Sequence, residues 1–269
     1  MMNFFIKPTY TMNFFRKLLF KILGIETYLF VVSKLFFLSF NGKILKGKNE
    51  FDWHYFTEKL IKKGDVIIDL GANLGYYSLI FSKLTGKTGR VYSIEPVALY
   101  RKILKRNIRK RDNVVLIPYA IGANDKQPVK MGVPVDSSHF SHGRTHVLTK
   151  NDEVSSHTFD ATLITPDTLF RDLDRLDYLK CDIEGYEGIA LPLFKNILRK
   201  FRPLIQIEID PQNHLLLEDY FRKLDYRFFL LTGERLKHQN VFKEGNNGDW
   251  LLIPAEKVSR FSEWIEKPF

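Results

Sequence analysis

Residues 64–78 read Gly64-Asp65-Val66-Ile67-Ile68-Asp69-Leu70-Gly71-Ala72-Asn73-Leu74-Gly75-Tyr76-Tyr77-Ser78, and this stretch decides the fold. Lys63-Gly64-Asp65 is turn chemistry. The apolar run that follows, residues 66–70, reads as a parallel strand at the centre of a sheet. Two glycines four residues apart then let the chain turn tightly and lie bare to a ligand before helical spacing begins at Tyr76. Working outward, a helix over 76–83 leads through Gly86 and Gly89 to a strand over 91–95 and a basic helix over 99–111. Further strands are expected over 114–119, 178–182 and 204–209, with a helix over 188–200 and another upstream over 51–62. Alternating strands and helices imply a doubly wound α/β sheet that binds ligands at the carboxyl ends of its strands. Late strands over 226–231 and 250–253, separated by Gly245-Asn246-Asn247-Gly248, suit a terminal antiparallel hairpin at the sheet edge.

Asp69 stands at the mouth of the glycine loop. The loop lacks the Gly-Lys-Ser/Thr ending of a P-loop, and Asn73 takes the place of the second glycine of a dinucleotide fingerprint. A carboxylate there repels a pyrophosphate and favours an ammonium or sulfonium; S-adenosylmethionine carries both. Glu95, twenty-six residues beyond Asp69 at the end of the next strand, is placed to accept hydrogen bonds from both hydroxyls of a ribose. Pro96 and Val97 offer an apolar wall for adenine. Gly71 and Gly75 alone fit an ordinary strand-to-helix turn. The two acids at successive strand ends make the combination specific.

These pieces resemble the FkbM-type S-adenosylmethionine-dependent methyltransferases. The resemblance continues in Gly89-Arg90-Val91-Tyr92-Ser93-Ile94-Glu95-Pro96, in Asn113-Val114 with Ala120-Ile121-Gly122, and in Leu179-Lys180-Cys181-Asp182-Ile183-Glu184-Gly185-Tyr186-Glu187. It extends to Arg202-Pro203-Leu204-Ile205-Gln206-Ile207-Glu208-Ile209 and Asp249-Trp250-Leu251-Leu252-Ile253-Pro254, so it covers about residues 64–254. The Lys-x-Asp-x-Glu-Gly block is its most discriminating part. The resemblance implies a Rossmann-like class I methyltransferase fold: a doubly wound, mostly parallel seven-stranded sheet with an antiparallel edge hairpin. It also implies Asp69, Gly71, Asn73, Gly75 and Glu95 for cofactor binding, Asp182 for the reaction centre, and a sugar hydroxyl of a glycan or glycoconjugate as acceptor. Cys181 and Tyr186 depart from the usual Ile-Asp-Val-Glu-Gly-Ala-Glu block, and Tyr186 adds bulk beside the expected pocket.

Asp182 is expected at the end of the fourth strand, beside the first, facing the methyl group. In-line displacement from a sulfonium asks the protein to hold donor and acceptor in an attack geometry and to handle the acceptor's proton. A hydroxyl ionises poorly at neutral pH, so a carboxylate or histidine base, or a divalent cation such as Mg or Mn, is expected to assist. The candidate catalytic groups are Asp182, Glu208 and His142, with Asp182 also the candidate metal ligand. Each has a plainer reading. Glu208 suits a structural acid at a strand end, and Glu184 suits a cap on the helix starting near Gly185. His139, His142 and His146 suit solvated loop positions, because their spacing is no metal signature without a helix. Lys180 shares a strand face with Asp182 and pairs with an acid or contacts substrate.

The domain organisation expected is a helical segment over 1–50, a methyltransferase domain over 51–258 carrying a loop or hairpin insertion at 122–165, and a tail over 259–269. The net charge of +10 is concentrated in residues 1–48, where eight Lys and Arg face a single acid, Glu26. Charges interrupt residues 14–40 too often for the ~20 apolar residues of a spanning helix, so amphipathic helices are expected there, packed on the domain or touching a membrane surface peripherally. A single cysteine excludes a disulfide framework and a Cys-rich zinc site. A cytoplasmic protein is expected, at most peripheral at the inner membrane surface. The seven basic residues between Arg101 and Arg111 read as a solvated face, making nucleic acid an unlikely partner. The rivals are an RNA methyltransferase and a non-catalytic membrane-surface protein retaining the fold.

Overall fold

The structure, a computed structural model, describes residues 10–134, 145–148, 155–242 and 249–266, with side chains from residue 22 onward apart from those of 146, 155 and 156. The chain opens with α1 (Tyr10–Asn41), broken at Gly24, whose φ of 69° and ψ of 163° leave the helical region. α2 (Asp52–Leu60) ends before the Gly64 turn, and β1 (Val66–Leu70) leads through the glycine loop into α3 (Tyr76–Thr85). Then come β2 (Arg90–Ile94), α4 (Ala98–Asn107) and β3 (Val114–Ile117). β4 (Ala120–Ile121) follows, and the expected insertion contains β5 (Pro128–Pro134), β6 (His146–Val147) and β7 (Ser155–Ile164), which pair with β4 into a small separate sheet. The main fold resumes with α5 (Pro166–Leu169), β8 (Tyr178–Cys181), α6 (Glu187–Leu193), α7 (Lys195–Phe201), β9 (Leu204–Glu208), α8 (His214–Lys223), β10 (Tyr226–Thr232), β11 (Arg235–Gln239) and β12 (Asp249–Pro254).

The main sheet has the order β11-β10-β12-β9-β8-β1-β2-β3. β3, β2, β1, β8 and β9 are parallel; β12, β10 and β11 are antiparallel to their neighbours. The fold is the Rossmann-like α/β architecture, and the strand order reverses at the β1/β8 boundary, with β2 and β3 laid down on one side of β1 and β8 and β9 on the other, which is where open α/β sheets bind ligands. Three expectations need correction. The described sheet has eight strands, because β11 adds an edge through a tight turn at Gly233-Glu234. The two late strands pair antiparallel as expected, but β12 lies inside the sheet between β9 and β10 rather than at its edge, which buries all of Trp250–Pro254. The helix expected over 188–200 is two helices meeting at Phe194, with Pro192 in the last turn of the first.

β1 is buried on both faces, as its uninterrupted apolar run requires. Ile68 and Leu70 join Leu191, Phe194 and Leu198 of α6 and α7. Ile67 joins Trp53 and Phe56 of α2 and Phe81 of α3. α1 lies on this second side, packing Leu29, Phe36, Phe37 and Phe40 with Tyr76 and Ile80 of α3 and Tyr100 and Ile103 of α4. Glu26 adds ion pairs to Lys102 (2.7 Å) and Arg106 (3.6 Å). The portion Ile22–Asn41 is nonetheless long and apolar enough to cross a membrane, since Glu26 and Lys34 are its only charges. Its remaining face leaves Ile22, Leu35 and Leu38 exposed.

Candidate active site

Topology assembles the site. With β12 antiparallel to β9, the amino end of β12 lies at the same sheet edge as the carboxyl ends of β9, β8, β1 and β2. Each of these five ends delivers an acid: Asp249, Glu208, Asp182, Asp69 and Glu95. Asp249 stands opposite Glu208 in the register. All five line one cavity that opens to solvent. The small sheet walls this cavity with Met131 and Val147.

On the β1 side, Asp69 is fully buried, in register with Ser93 on β2 and Lys180 on β8. Its Oδ2 accepts from the Ser78 hydroxyl (2.5 Å), while Oδ1 has no partner among the described residues. Burial pushes its pKa up, opposed by Lys180 and the Ser78 hydrogen bond. The loop beyond it turns through positive φ at Gly71 (84°), Asn73 (50°) and Gly75 (91°). Gly71 is required by proximity as well as conformation, because a Cβ there would stand 1.9 Å from the Asp182 carbonyl oxygen. Glu95 accepts from the backbone N–H groups of Asn73 and Val97, both at 2.8 Å, so the loop and the second strand are held together through one carboxylate. Burial pushes Glu95 up to about 7 against the pull of those two amides. Pro96 and the fully buried Val97 line the cavity beside it.

On the β8 side, the buried Lys180 ammonium lies 2.9 Å from Asp182 Oδ2 and 4.6 Å from the centre of the Tyr77 ring. Burial alone would lower the Lys180 pKa, but Asp182 and Asp69 outweigh it and hold the ammonium charged. Burial works to raise Asp182; the Lys180 charge opposes it, and the carboxyl stays below its usual value. A side-chain hydrogen bond joins Asp182 to Glu208. With Asp182 ionised, the shared proton belongs to Glu208, which burial and the Asp182 charge push up to about 8. Burial and the same neighbour raise Glu184 to about 9 and Asp249 to about 6.

The structure thus brings together the expected Asp69, Gly71, Asn73, Glu95, Pro96, Val97, Asp182 and Glu208 around one cavity, while Gly75 starts α3 behind the loop. His142 and His139 lie outside the described residues, as does the side chain of His146. Glu184 is not the cap of α6: it takes φ of 53° in the turn and faces the cavity. α6 has no side-chain cap, and the turn before it is tied instead by Glu187, whose Oε1 accepts from the N–H of Ile183 (3.2 Å) and Gly185 (3.1 Å). The metal expected at Asp182 gains no support from the described residues. Among the described residues no three His, Cys, Asp or Glu side chains are grouped to hold an ion, and the Asp182 carboxylate is engaged by Lys180 and Glu208. Sequence reasoning missed Asp249 and His54. The first was visible as an acid opening the late strand; the second carried only the signal of a core aromatic.

The model of the methyltransferase FkbM domain matches residues 69–228, more than half of the chain, beginning at Asp69 and taking in Glu95, Asp182 and Glu208. The chain belongs to the FkbM family of methyltransferases. No curated protein matches the sequence. Among solved structures, an FkbM methyltransferase from Methylobacillus flagellatus KT is similar at 18% identity over 71% of this chain, with a TM-score of 0.44. This chain covers only 43% of that protein's length. Aeropyrum pernix fibrillarin with bound S-adenosyl-L-methionine is similar at 14% identity, over 72% of this chain and 67% of that one, with a TM-score of 0.40. An S-adenosylmethionine-dependent O-methyltransferase from Thermotoga maritima is similar at 13% identity, over 76% and 63%, also with a TM-score of 0.40.

The residues present fit S-adenosylmethionine as a methyl donor. The unpartnered Asp69 Oδ1 is an anionic acceptor suited to an ammonium. The Glu95 carboxylate keeps lone pairs for ribose hydroxyls after accepting its two amides.

Proposed function

We propose that this FkbM methyltransferase methylates a hydroxyl of a small polar acceptor, a sugar of a glycan or glycoconjugate, and that Glu208 receives the hydroxyl's proton. The donor, when bound, supplies an electrophilic methyl group. Asp182, held ionised by Lys180, orients the acceptor hydroxyl through a hydrogen bond. Glu208, hydrogen-bonded to Asp182 with its pKa near 8, has a basicity matched to neutral and mildly alkaline pH, which a general base needs. The observation that carries the reading is the clustering of Asp182, Glu184, Glu208 and Asp249 at one end of the cavity. Such a wall offers many acceptors to a neutral polyhydroxylated molecule and repels a phosphodiester, which disfavours RNA. The test is mass spectrometry after incubation with isotopically labelled S-adenosylmethionine and a panel of glycans, lipids and RNA. A methyl ether on a sugar oxygen supports the reading, and label on RNA alone overturns it.

We also propose that the outward face of α1 meets an anionic membrane surface. Ile22, Leu35 and Leu38 are exposed there, Ile44 is exposed in the turn after the helix, and α4 with the turn that follows it exposes Lys105, Arg106, Arg109 and Lys110. Apolar side chains beside a basic rim are the composition of an interfacial anchor.

A further inference from the structure

His54 belongs to α2, ahead of the span that the family model matches. Its side chain is buried and stacked on Tyr77 of α3, with ring centroids 4.1 Å apart and planes 19° from parallel. Phe36 of α1 closes on it at 5.4 Å. A phenylalanine would pack equally well. What distinguishes the histidine is that neither Nδ1 nor Nε2 has a hydrogen-bond partner among the described residues, although the ring lines the cavity. Leaving both nitrogens of a buried imidazole unmet is costly, and such an orphan at a native site calls for a ligand.

The sheet order says which part of the ligand. Glu95, the ribose acid, lies on the β2 side of β1, whereas Lys180 and Asp182, the charges that act on His54, lie on the β8 side. His54 therefore faces the end of the cavity away from the ribose, next to the start of α3. There the helix has no side-chain cap at Gly75, and Asp69 offers its own orphaned oxygen. The end of S-adenosylmethionine away from adenosine is an amino acid, whose ammonium suits Asp69 and whose carboxylate needs N–H donors.

We propose that His54 donates a ring N–H to the carboxylate at the methionine end of the donor, forming with Asp69 a clamp for that zwitterion. Burial, reinforced by Lys180, lowers the His54 pKa to about 3, so the ring is neutral at pH 7. A neutral imidazole still carries one N–H to donate, and so weak a base leaves the acceptor's proton to the carboxyls.

The proposal rests on S-adenosylmethionine as donor, and two probes separate the claims. S-adenosylhomocysteine and 5′-methylthioadenosine share the adenosine and the thioether, but only the first carries the amino acid. Calorimetry on the full chain should show His54→Phe, which keeps the aromatic packing, binding S-adenosylhomocysteine about 10- to 100-fold more weakly, with methylthioadenosine changed by less than about twofold. In the wild-type protein the ¹⁵N resonances of His54 should shift on adding S-adenosylhomocysteine and stay in place with methylthioadenosine, a readout that holds even if the variant fails to fold. Equal loss for both probes, no loss for either, or a His54 ring indifferent to S-adenosylhomocysteine overturns the proposal. Failure of the wild type to bind either probe overturns the donor assignment beneath it.

Discussion

Replacing Lys180 by methionine removes a buried ammonium that faces the row of acids. Its side chain is 3% exposed, and the Asp182 carboxylate 2.9 Å away is 28% exposed, so solvent screens the pair little. Removing one partner of a buried ion pair costs about 3–5 kcal/mol because the other charge is left uncompensated. The lower end applies here, since Asp182 can take up a proton from its acid-rich surroundings once the ammonium is gone. At about 2–4 °C per kcal/mol for a chain of this size, about 3 kcal/mol lowers Tm by roughly 6–12 °C. The pH dependence has a definite sign. Asp182 has a folded pKa below its unfolded value, so its pairing stabilises the fold above the ordinary carboxyl pKa and fades as pH falls through the folded value. Lys180 has a raised pKa, so its contribution is complete below the ordinary lysine value and fades only as pH rises through the folded one. Across pH 5–8 the wild type keeps the pair, whereas the variant gains stability toward pH 5 as its acids protonate. Thermal denaturation of both proteins at pH 5 and pH 8 measures this. A Tm unchanged at pH 8, or a deficit larger at pH 5, would refute the electrostatic reasoning.

The remaining perturbations address the two ends of the cavity and the surface. Glu95→Ala should weaken S-adenosylhomocysteine binding by about 1–3 kcal/mol in calorimetry, because it removes the ribose acceptor and the tie between Asn73 and Val97. In the wild type kcat/KM should rise with pH through about 8 as Glu208 loses its proton, and Glu208→Gln should abolish that rise with a loss of about 10² or more in turnover. Replacing Leu35, Leu38 and Ile44 together by serine should reduce co-sedimentation with phosphatidylserine vesicles while leaving S-adenosylhomocysteine affinity unchanged. Equal sedimentation by both proteins would leave α1 as a packing helix alone.

The elements legible in the sequence are those whose chemistry is local. A tight strand-to-helix turn needs Gly71 and Gly75 wherever the chain goes next, and Asp69, Glu95 and Asp182 follow from their position at strand ends. Their convergence follows from parallel topology, which a βαβ rhythm implies. Long-range antiparallel pairing is not written locally: nothing in Trp250–Pro254 says that the strand lies between β9 and β10 rather than at the edge. Capping at Asp182–Glu187 was misassigned for a related reason. With a left-handed residue at Glu184, α6 starts two residues beyond Gly185, which packs close to Asp210. His54 was hidden because its spacing within α2 matches a core position, and only the fold places it against Tyr77 and the cavity. α1 combines both cases. Its apolar pattern was evident, but which residues pack on α3 and α4 and which remain exposed is decided by tertiary contacts such as Glu26 with Lys102.

The most direct test is a calorimetric titration of the wild-type chain with S-adenosylhomocysteine and, separately, with NAD. Asp69 and Asn73 disfavour a pyrophosphate, while the Asp69 and Glu95 carboxylates suit an ammonium and a ribose. Saturable binding of S-adenosylhomocysteine with no heat from NAD is the expected result. Tight NAD binding without an S-adenosylhomocysteine signal would contradict the assignment of this cavity.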